Sequence, residues 1–476
     1  MSLSRRRFLA NAAAVSTAFS ALPLLSARAQ AQNTSGYINQ VEGYGALQAD
    51  PNGLFDLPAG FDYVTLSETG EAMDDGLIVP GDHDGTACFP GLEDGQVILV
   101  RNHELSPDQF DESPFGPDAA GLSRIDAGKL YDHEAGGLTH LGGTTTVHVD
   151  LASRRVVRQF LSLGGTERNC AGGPTPWGSW VTCEESLTQA GDGSGRRDHG
   201  YAFEVPSQAL GLVNAEPLTA MGRFNREACA IDPRTNIVYQ TEDARPSLIT
   251  RFLPEVAEEL HRGGRLQALA ITGRPGLNTH NWDANAQTVD VGETLSCEWI
   301  DVDGVDNPHN DLASRLVEAG AANFTRGEGM WFGDGEVFFC CTDGGPEHIG
   351  QIWRYRPSPS EGQPGETDQP GELTLLVQTT DQRILEKCDN ITVAPWGDLV
   401  VVEDGRNEQF IRGVTPDGRV YTIGRNAASD AEGDYSEITG PCFSPDGSTL
   451  FFNVQNGPGR TFAVKGPWET RSLMDV

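Results

Sequence analysis

Short apolar runs, rich in β-branched and aromatic residues, recur along the chain at 97–100, 144–149, 180–182, 237–239, 337–341, 399–402 and 450–452. Each follows a cluster of Gly, Pro, Asp or Asn, the pattern of a hairpin strand leaving a tight turn. A second strand pair often comes next, as at 350–355 and 418–422. Within this pattern one unit repeats. It opens on a potential metal ligand, crosses a turn into an apolar strand, and ends in acidic or amide residues. Strong copies run from Cys170 to Glu184, Glu227 to Glu242, Glu328 to Asp343, Asp389 to Glu403 and Glu437 to Asn453, and a weaker copy from Asp84 to Glu104. The first four strong copies are nearly equal in length (184−170 = 14, 242−227 = 15, 343−328 = 15, 403−389 = 14). Two hairpins per unit make four strands, the size of a propeller blade. The expectation is an all-β chain, a six-bladed β-propeller, with a β-sandwich as the alternative. Leu253, Val256, Ala257 and Leu260, and then Leu312, Leu316 and Val317, recur at helical spacing and predict two short helical inserts.

Length alone allows two or three domains in 476 residues, but large β folds often reach this size as one. The strand pattern continues on both sides of the Pro/Ser/Gly/Glu-rich stretch 357–371, which therefore reads as a flexible loop inside a single domain spanning 30–476. Residues 1–29 read as a leader to be removed. Ser4-Arg5-Arg6-Arg7-Phe8-Leu9 is a twin-arginine pattern, a weakly apolar run follows, and Ala27-Arg28-Ala29 is a small-x-small cleavage site. The apolar run is too short for a stable membrane span. The mature protein is expected in the periplasm or secreted, exported folded by the twin-arginine machinery, and as a monomer.

Charge narrows the function. With 68 Asp and Glu against 34 Lys and Arg, the net charge of −34 repels nucleic acid and offers cations many carboxylates. Most of nine cysteines sit inside apolar runs, where they behave as small hydrophobes, so few or no disulfides are expected. Cys170 differs, standing at the start of a repeat between Asn169 and Ala171-Gly172-Gly173.

In a propeller the first strand of each blade lines the axis. Residues opening the repeats, Cys170, Glu227, Glu328, Asp389 and Glu437, would converge there. Carboxylates that close cannot all ionise without cations. Hard carboxylates suit Ca²⁺ or Fe³⁺, whereas a thiolate asks for a softer or redox-active ion. The mixture predicts a multinuclear site with at least one transition metal beside calcium. A second tier (Glu184, Glu185, Glu242, Asp243, Asp343, Glu403, Asp404) could bind outer calcium ions or cap hairpins. Arg326 lies two residues before Glu328, on the same face if both are in a strand, where its fork of donors could take a phosphate or carboxylate; a surface salt bridge is the alternative.

These segments together resemble the PhoX-type alkaline phosphatases, exported bacterial proteins. The resemblance covers roughly residues 80–465. It rests on Asn102-His103-Glu104, Asn169-Cys170-Ala171-Gly172-Gly173, Thr175-Pro176-Trp177-Gly178-Ser179-Trp180, Thr182-Cys183-Glu184-Glu185, Glu227-Ala228, Arg326-Gly327-Glu328-Gly329, Asp389-Asn390-Ile391 and Glu437-Ile438-Thr439-Gly440-Pro441. It implies a propeller phosphomonoesterase with an oxo-bridged iron–calcium cluster. Cys170 would ligate iron; Glu227, Glu328, Asp389 and Glu437 would hold iron or calcium, with Glu184 and Glu185 as further candidates; Arg326 would bind the phosphate of a small-molecule ester. The chain departs from the family in carrying Arg226 where His is frequent, and it is a compact version. A calcium-dependent propeller lactonase or esterase, and a non-catalytic calcium-binding module, are the competing readings of the residues alone.

Overall fold

The computed structural model describes residues 36–471 apart from 135, 136, 139, 193, 194 and 430–432, so the leader anticipated at 1–29 lies outside the described residues. The chain folds as antiparallel sheets in a propeller-like arrangement. Six inner strands, His83–Pro90, Asn169–Pro174, Arg226–Ile231, Gly327–Gly333, Cys388–Val393 and Ile438–Phe443, neighbour one another around a closed ring. Each pairs outward with the strand that follows it across a tight turn. Those second strands contain the apolar runs anticipated at 97–100, 180–182, 337–341, 399–402 and 450–452. The last sheet is completed by Asp62–Glu68, which pairs with Arg460–Lys465 and joins the two ends of the chain. Thr294–Asp301 links the sheets led by Arg226–Ile231 and Gly327–Gly333 into one of nine strands.

The pleat sends alternate side chains to opposite faces, and the core fills the space between neighbouring sheets. Cys340 packs with Ile352, Leu399 and Val401 on one side of its sheet, while Cys341 packs with Phe339, Trp353 and Leu375 on the other. All nine cysteines are free. No helix among the described residues is long and apolar enough to cross a membrane.

Two local expectations are corrected. The helix anticipated at 253–260 does not form: Leu253 lies in the strand Thr250–Pro254, and only a 3₁₀ turn, Leu260–Arg262, follows. Pro254 lacks the amide a helix needs there, and the Gly263-Gly264 pair lets the chain turn back into the next strand. The second insert does form, as the α-helix Leu312–Glu318 with Leu312 and Leu316 buried. The stretch 357–371 is pinned rather than trailing: Arg251 pairs with Glu361 at 2.5 Å and with Glu366, and Ser358 and Glu361 are buried.

One irregularity recurs in all six units. Between inner and second strands the register slips by one residue, for example from Asn169↔Glu184 to Gly172↔Thr182. The residue pairs looped out are Asp84-Gly85, Cys170-Ala171, Glu227-Ala228, Glu328-Gly329, Asp389-Asn390 and Gly440-Pro441. A β-bulge re-aims its side chain, and here it re-aims the same position around the ring.

Candidate metal centre

Five of the six bulges place a ligand-type side chain in one axial pocket: Asp84, Cys170, Glu227, Glu328 and Asp389. The sixth cannot. Gly440 has φ +58°, and a Cβ there would meet the Asp84 carbonyl oxygen at 2.6 Å, so this position is closed to a side chain. Glu437, three residues earlier, reaches the pocket instead. Donor atoms of Cys170, Glu185 and Glu227 lie within 4.8 Å of one another, as do those of Glu227, Glu328 and Asp389, making Glu227 common to both groups.

A second tier comes from the ends of the second strands. Glu104, Glu185, Asp243 and Asp404 line the pocket. The acidic residues one position earlier do not, because the pleat turns them away. Glu403 pairs with buried Arg412 at 2.8 Å, and Glu184 accepts hydrogen bonds from the amides of Glu167, Gly200 and Tyr201 and contacts His199 at 2.7 Å. The anticipated Glu184-Glu185 ligand pair is thus split, with only Glu185 on the axis. Asp343 is also outside, between Arg245 and Lys387. Arg226 does not replace a pocket histidine; its guanidinium packs 3.9 Å over Phe224 and donates to the Met221 carbonyl.

Arg326 reaches the pocket by a different route from strand alternation. It precedes its strand with φ +42°, and the bulge then brings its Nη2 within 2.9 Å of Glu328 Oε1. Its Nε and Nη2 also donate to the two oxygens of Asp243 at 2.8 and 2.9 Å. Asp82, Arg168 and Lys387 stand in the same place, two residues before Asp84, Cys170 and Asp389, and all have φ between 42° and 53°. Asp82 and Arg168 line the pocket, where Arg168 pairs with Glu104 at 2.5 Å and with Glu185. Sequence reasoning passed over Arg168, although the spacing that singled out Arg326 would have found it. Ser106 and Gln109, from the long connection after the first hairpin, also reach the pocket with no such signal. The carboxylates lie deep (Glu227, Glu328 and Asp389 are 4–8% exposed), whereas the Arg168 and Arg326 side chains are 39% and 29% exposed. The guanidiniums stand at the mouth.

The pocket holds about 300 Å³, ten carboxylates, one thiol and two guanidiniums. Burial, reinforced by neighbouring carboxylates, pushes Asp84, Glu185, Glu227, Glu328 and Glu437 well above the ordinary carboxylate range, and the Cys170 thiol well above its own. The same causes raise Asp389 to about 8, Asp82 to about 7 and Asp404 to about 6. Besides the carboxylates of Glu185 and Glu227, Cys170 Sγ approaches the backbone carbonyls of Arg226, Glu227 and Cys183 at 3.3–3.8 Å. Such a donor set is ordered for cations: bound ions supply the countercharge that lets the acids and thiol ionise together.

The fold has known counterparts. Over 90% of this chain and 97% of the other, the fold is similar to that of Pseudomonas fluorescens PhoX, at 18% sequence identity and a TM-score of 0.62. A putative gluconolactonase (11% identity, TM-score 0.41, 89% of this chain and 98% of that one) and a Xanthomonas campestris gluconolactonase (11%, 0.38, 90% and 99%) are more distantly similar. No curated protein sequence matches the chain. The family model described as alkaline phosphatase PhoX matches residues 42–459, and the chain belongs to that family of metal-dependent phosphoric ester hydrolases.

Proposed function

We propose that the axial pocket holds iron and calcium and hydrolyses small-molecule phosphate esters outside the cytoplasm. The observation that carries this reading is the repeated bulge, which gathers one thiol and a ring of carboxylates beneath two guanidiniums. Cys170 with Glu185 and Glu227 offers the mixed sulfur and oxygen set suited to iron. Asp84, Glu328, Asp389 and Glu437, sharing Glu227, offer the oxygen-rich set suited to calcium. When bound, such ions polarise phosphoryl oxygens and lower the pKa of a nucleophilic water.

The chain's own residues supply orientation and selection. Arg168 and Arg326 present N–H donors at the mouth, where a phosphate group arrives first. Asp243 fixes Arg326 through two parallel hydrogen bonds, and Glu104 and Glu185 fix Arg168, so neither guanidinium needs ordering when substrate binds. The acidic floor beneath repels a phosphate until cations occupy it, which couples substrate binding to metal loading. Pseudomonas fluorescens PhoX is known in complex with vanadate, a transition state analogue, and that supports phosphoryl chemistry for a pocket of this plan. The twin-arginine leader supports export in the folded, loaded state to the periplasm or beyond.

The test is elemental analysis of protein exported through its own leader, with p-nitrophenyl phosphate turnover on the same sample. Iron and calcium together with phosphate release are expected. Calcium without iron, and no turnover, would overturn the proposal in favour of a calcium-only hydrolase or binding module.

A further inference from the structure

We propose that Asp132, His140 and His199 form a second metal site, of zinc type, separate from the axial pocket. Sequence spacing does not show it, since the histidines are 59 residues apart (199−140). The fold brings them together on two long connections, one after the first hairpin and one after the strand Ser179–Glu184. All three side chains are buried, at 0–1% exposure.

The geometry is that of two imidazole arms converging on one carboxylate. His140 Nε2 lies 3.6 Å from Asp132 Oδ2, and His199 Nε2 lies 3.5 Å from the same oxygen. Tetrahedral coordination with bonds of roughly 2.0–2.1 Å separates ligand atoms by about 3.4 Å. Each histidine is backed on its far side by a glutamate: His199 Nδ1 contacts Glu184 Oε1 at 2.7 Å, and His140 Nδ1 lies 3.1 Å from Glu167 Oε2. Carboxylates behind metal-bound histidines are the usual device for fixing tautomer and ring orientation. The Asp132 carboxylate is held in turn by the amides of Arg196 and Arg197, at 2.6 and 3.0 Å.

A hydrogen-bonded cluster alone leaves one observation unexplained. Nε2 of buried His140 points at Asp132 Oδ2 from 3.6 Å, beyond hydrogen-bond reach, and finds no hydrogen-bond partner. Buried polar atoms ordinarily find a partner. A cation between the Nε2 atoms and Asp132 supplies one. Two imidazoles with a carboxylate suit a first-row transition ion, zinc or one of its neighbours, rather than calcium or magnesium, which prefer oxygen throughout. The ring centroids are 4.1 Å apart; tetrahedral ligation places them about 5 Å apart. Loading therefore splays the pair by about 1 Å.

The site has a structural consequence for the axis. Glu167 and Glu184 face the histidines, while their chain neighbours Arg168 and Glu185 line the axial pocket. A metal bound to Asp132, His140 and His199 thus braces the segments that position Arg168 and Glu185.

The proposal does not depend on the axial chemistry, and its test reads metal directly. Full-length exported protein is equilibrated with Zn²⁺, desalted and analysed alongside His140→Ala and His199→Ala. The expected result is about one zinc per chain that both variants lose while their iron and calcium contents stay unchanged. Equal zinc in all three would overturn it. Should the variants fail to fold, wild-type crystals soaked in Zn²⁺ and measured at the zinc absorption edge decide the matter. An anomalous peak bounded by Asp132, His140 and His199 supports the site; saturating zinc with no peak there, or a peak only beside Cys170, refutes it.

Discussion

The two halves of the central channel differ by a single residue step along five of the six inner strands. At the first bulge position the channel encloses about 300 Å³ and is lined by Asp84, Cys170, Glu227, Glu328 and Asp389. At the second it is filled by Gly85, Ala171, Ala228, Gly329 and Asn390, leaving about 20 Å³. The small residues let backbones meet: a Cβ on Gly85 would lie 2.6 Å from Ala171 Cα, and one on Gly329 2.6 Å from Asn390 Cα. Closure of the lower half is what draws the ligands of the upper half within coordination distance. Packing and chemistry are therefore adjacent tasks of one bulge.

The strongest way to break this comparison is to remove the one donor that is not a carboxylate. Cys170→Ser keeps the size and the bulge but replaces the soft ligand. Activity should fall by more than the ~10–100-fold typical of losing a partner behind a ligand, with iron lost and calcium largely kept. Full activity in protein still containing iron would remove Cys170 from the iron site.

Metal removal separates the halves by pH. In the metal-free protein the upper-half acids have folded pKa values above their unfolded ones, near 8 for Asp389 and 6 for Asp404 against an ordinary 3.8. The folded state then holds more protons than the unfolded state between these limits. Stability is fullest below the unfolded pKa and falls as pH rises through the folded values, by about 1.4 kcal/mol per pH unit for each such proton. Thermal unfolding of chelated protein should show a melting temperature that drops from pH 5 to pH 8. The loaded protein, its acids ionised against cations, should not show that drop. A chelated protein as stable at pH 8 as at pH 5 would mean the carboxylates are solvated, not confined.

The lower half is probed by Gly329→Ala. The added Cβ must displace backbone rather than a flexible side-chain end, an overpacking cost of about 1–3 kcal/mol. Melting temperature and calcium content should fall together, because the displaced strand carries Glu328 on one side and abuts Asp389 on the other. Lower stability with unaltered calcium would uncouple the two halves.

Much of this is legible in the sequence. The equal repeat lengths exposed the hairpins, and the ligand opening each repeat located the axis. The bulge is not legible, because it falls among the ligand and small residues at the start of each inner strand, where there is no apolar alternation for the slip to shift. It is the reason Arg326 and Glu328 meet at all, while the sixth bulge, closed to a side chain at Gly440, leaves its ligand to Glu437. The acidic pairs could be found but not resolved: Glu184 and Glu185 look alike in sequence, and only the pleat sends one to the axis and the other to His199. The pairing of His140 with His199 was out of reach, since both lie in connections whose course depends on the packed sheets.

Arg168 offers the finest distinction, within the upper half itself. It and Arg326 occupy equivalent positions in different repeats, both left-handed and both at the mouth, but their partners differ. Arg326 is held by Asp243 through two hydrogen bonds and touches Glu328, while Arg168 uses one nitrogen, Nη2, for both Glu104 and Glu185. A charge-assisted hydrogen bond to phosphate contributes about 1.5–3 kcal/mol when desolvated, and exposure of 39% for Arg168 reduces that toward 1 kcal/mol. Arg168→Gln should therefore raise KM for p-nitrophenyl phosphate about five- to tenfold and weaken inhibition by inorganic phosphate to the same extent, with kcat and metal content little changed. Arg326→Gln, less exposed and beside Glu328, should cost more and lower kcat as well. If Arg168→Gln instead strips metal while leaving KM unchanged in the remaining loaded fraction, its task is to neutralise Glu104 and Glu185, and phosphate capture belongs to Arg326 alone.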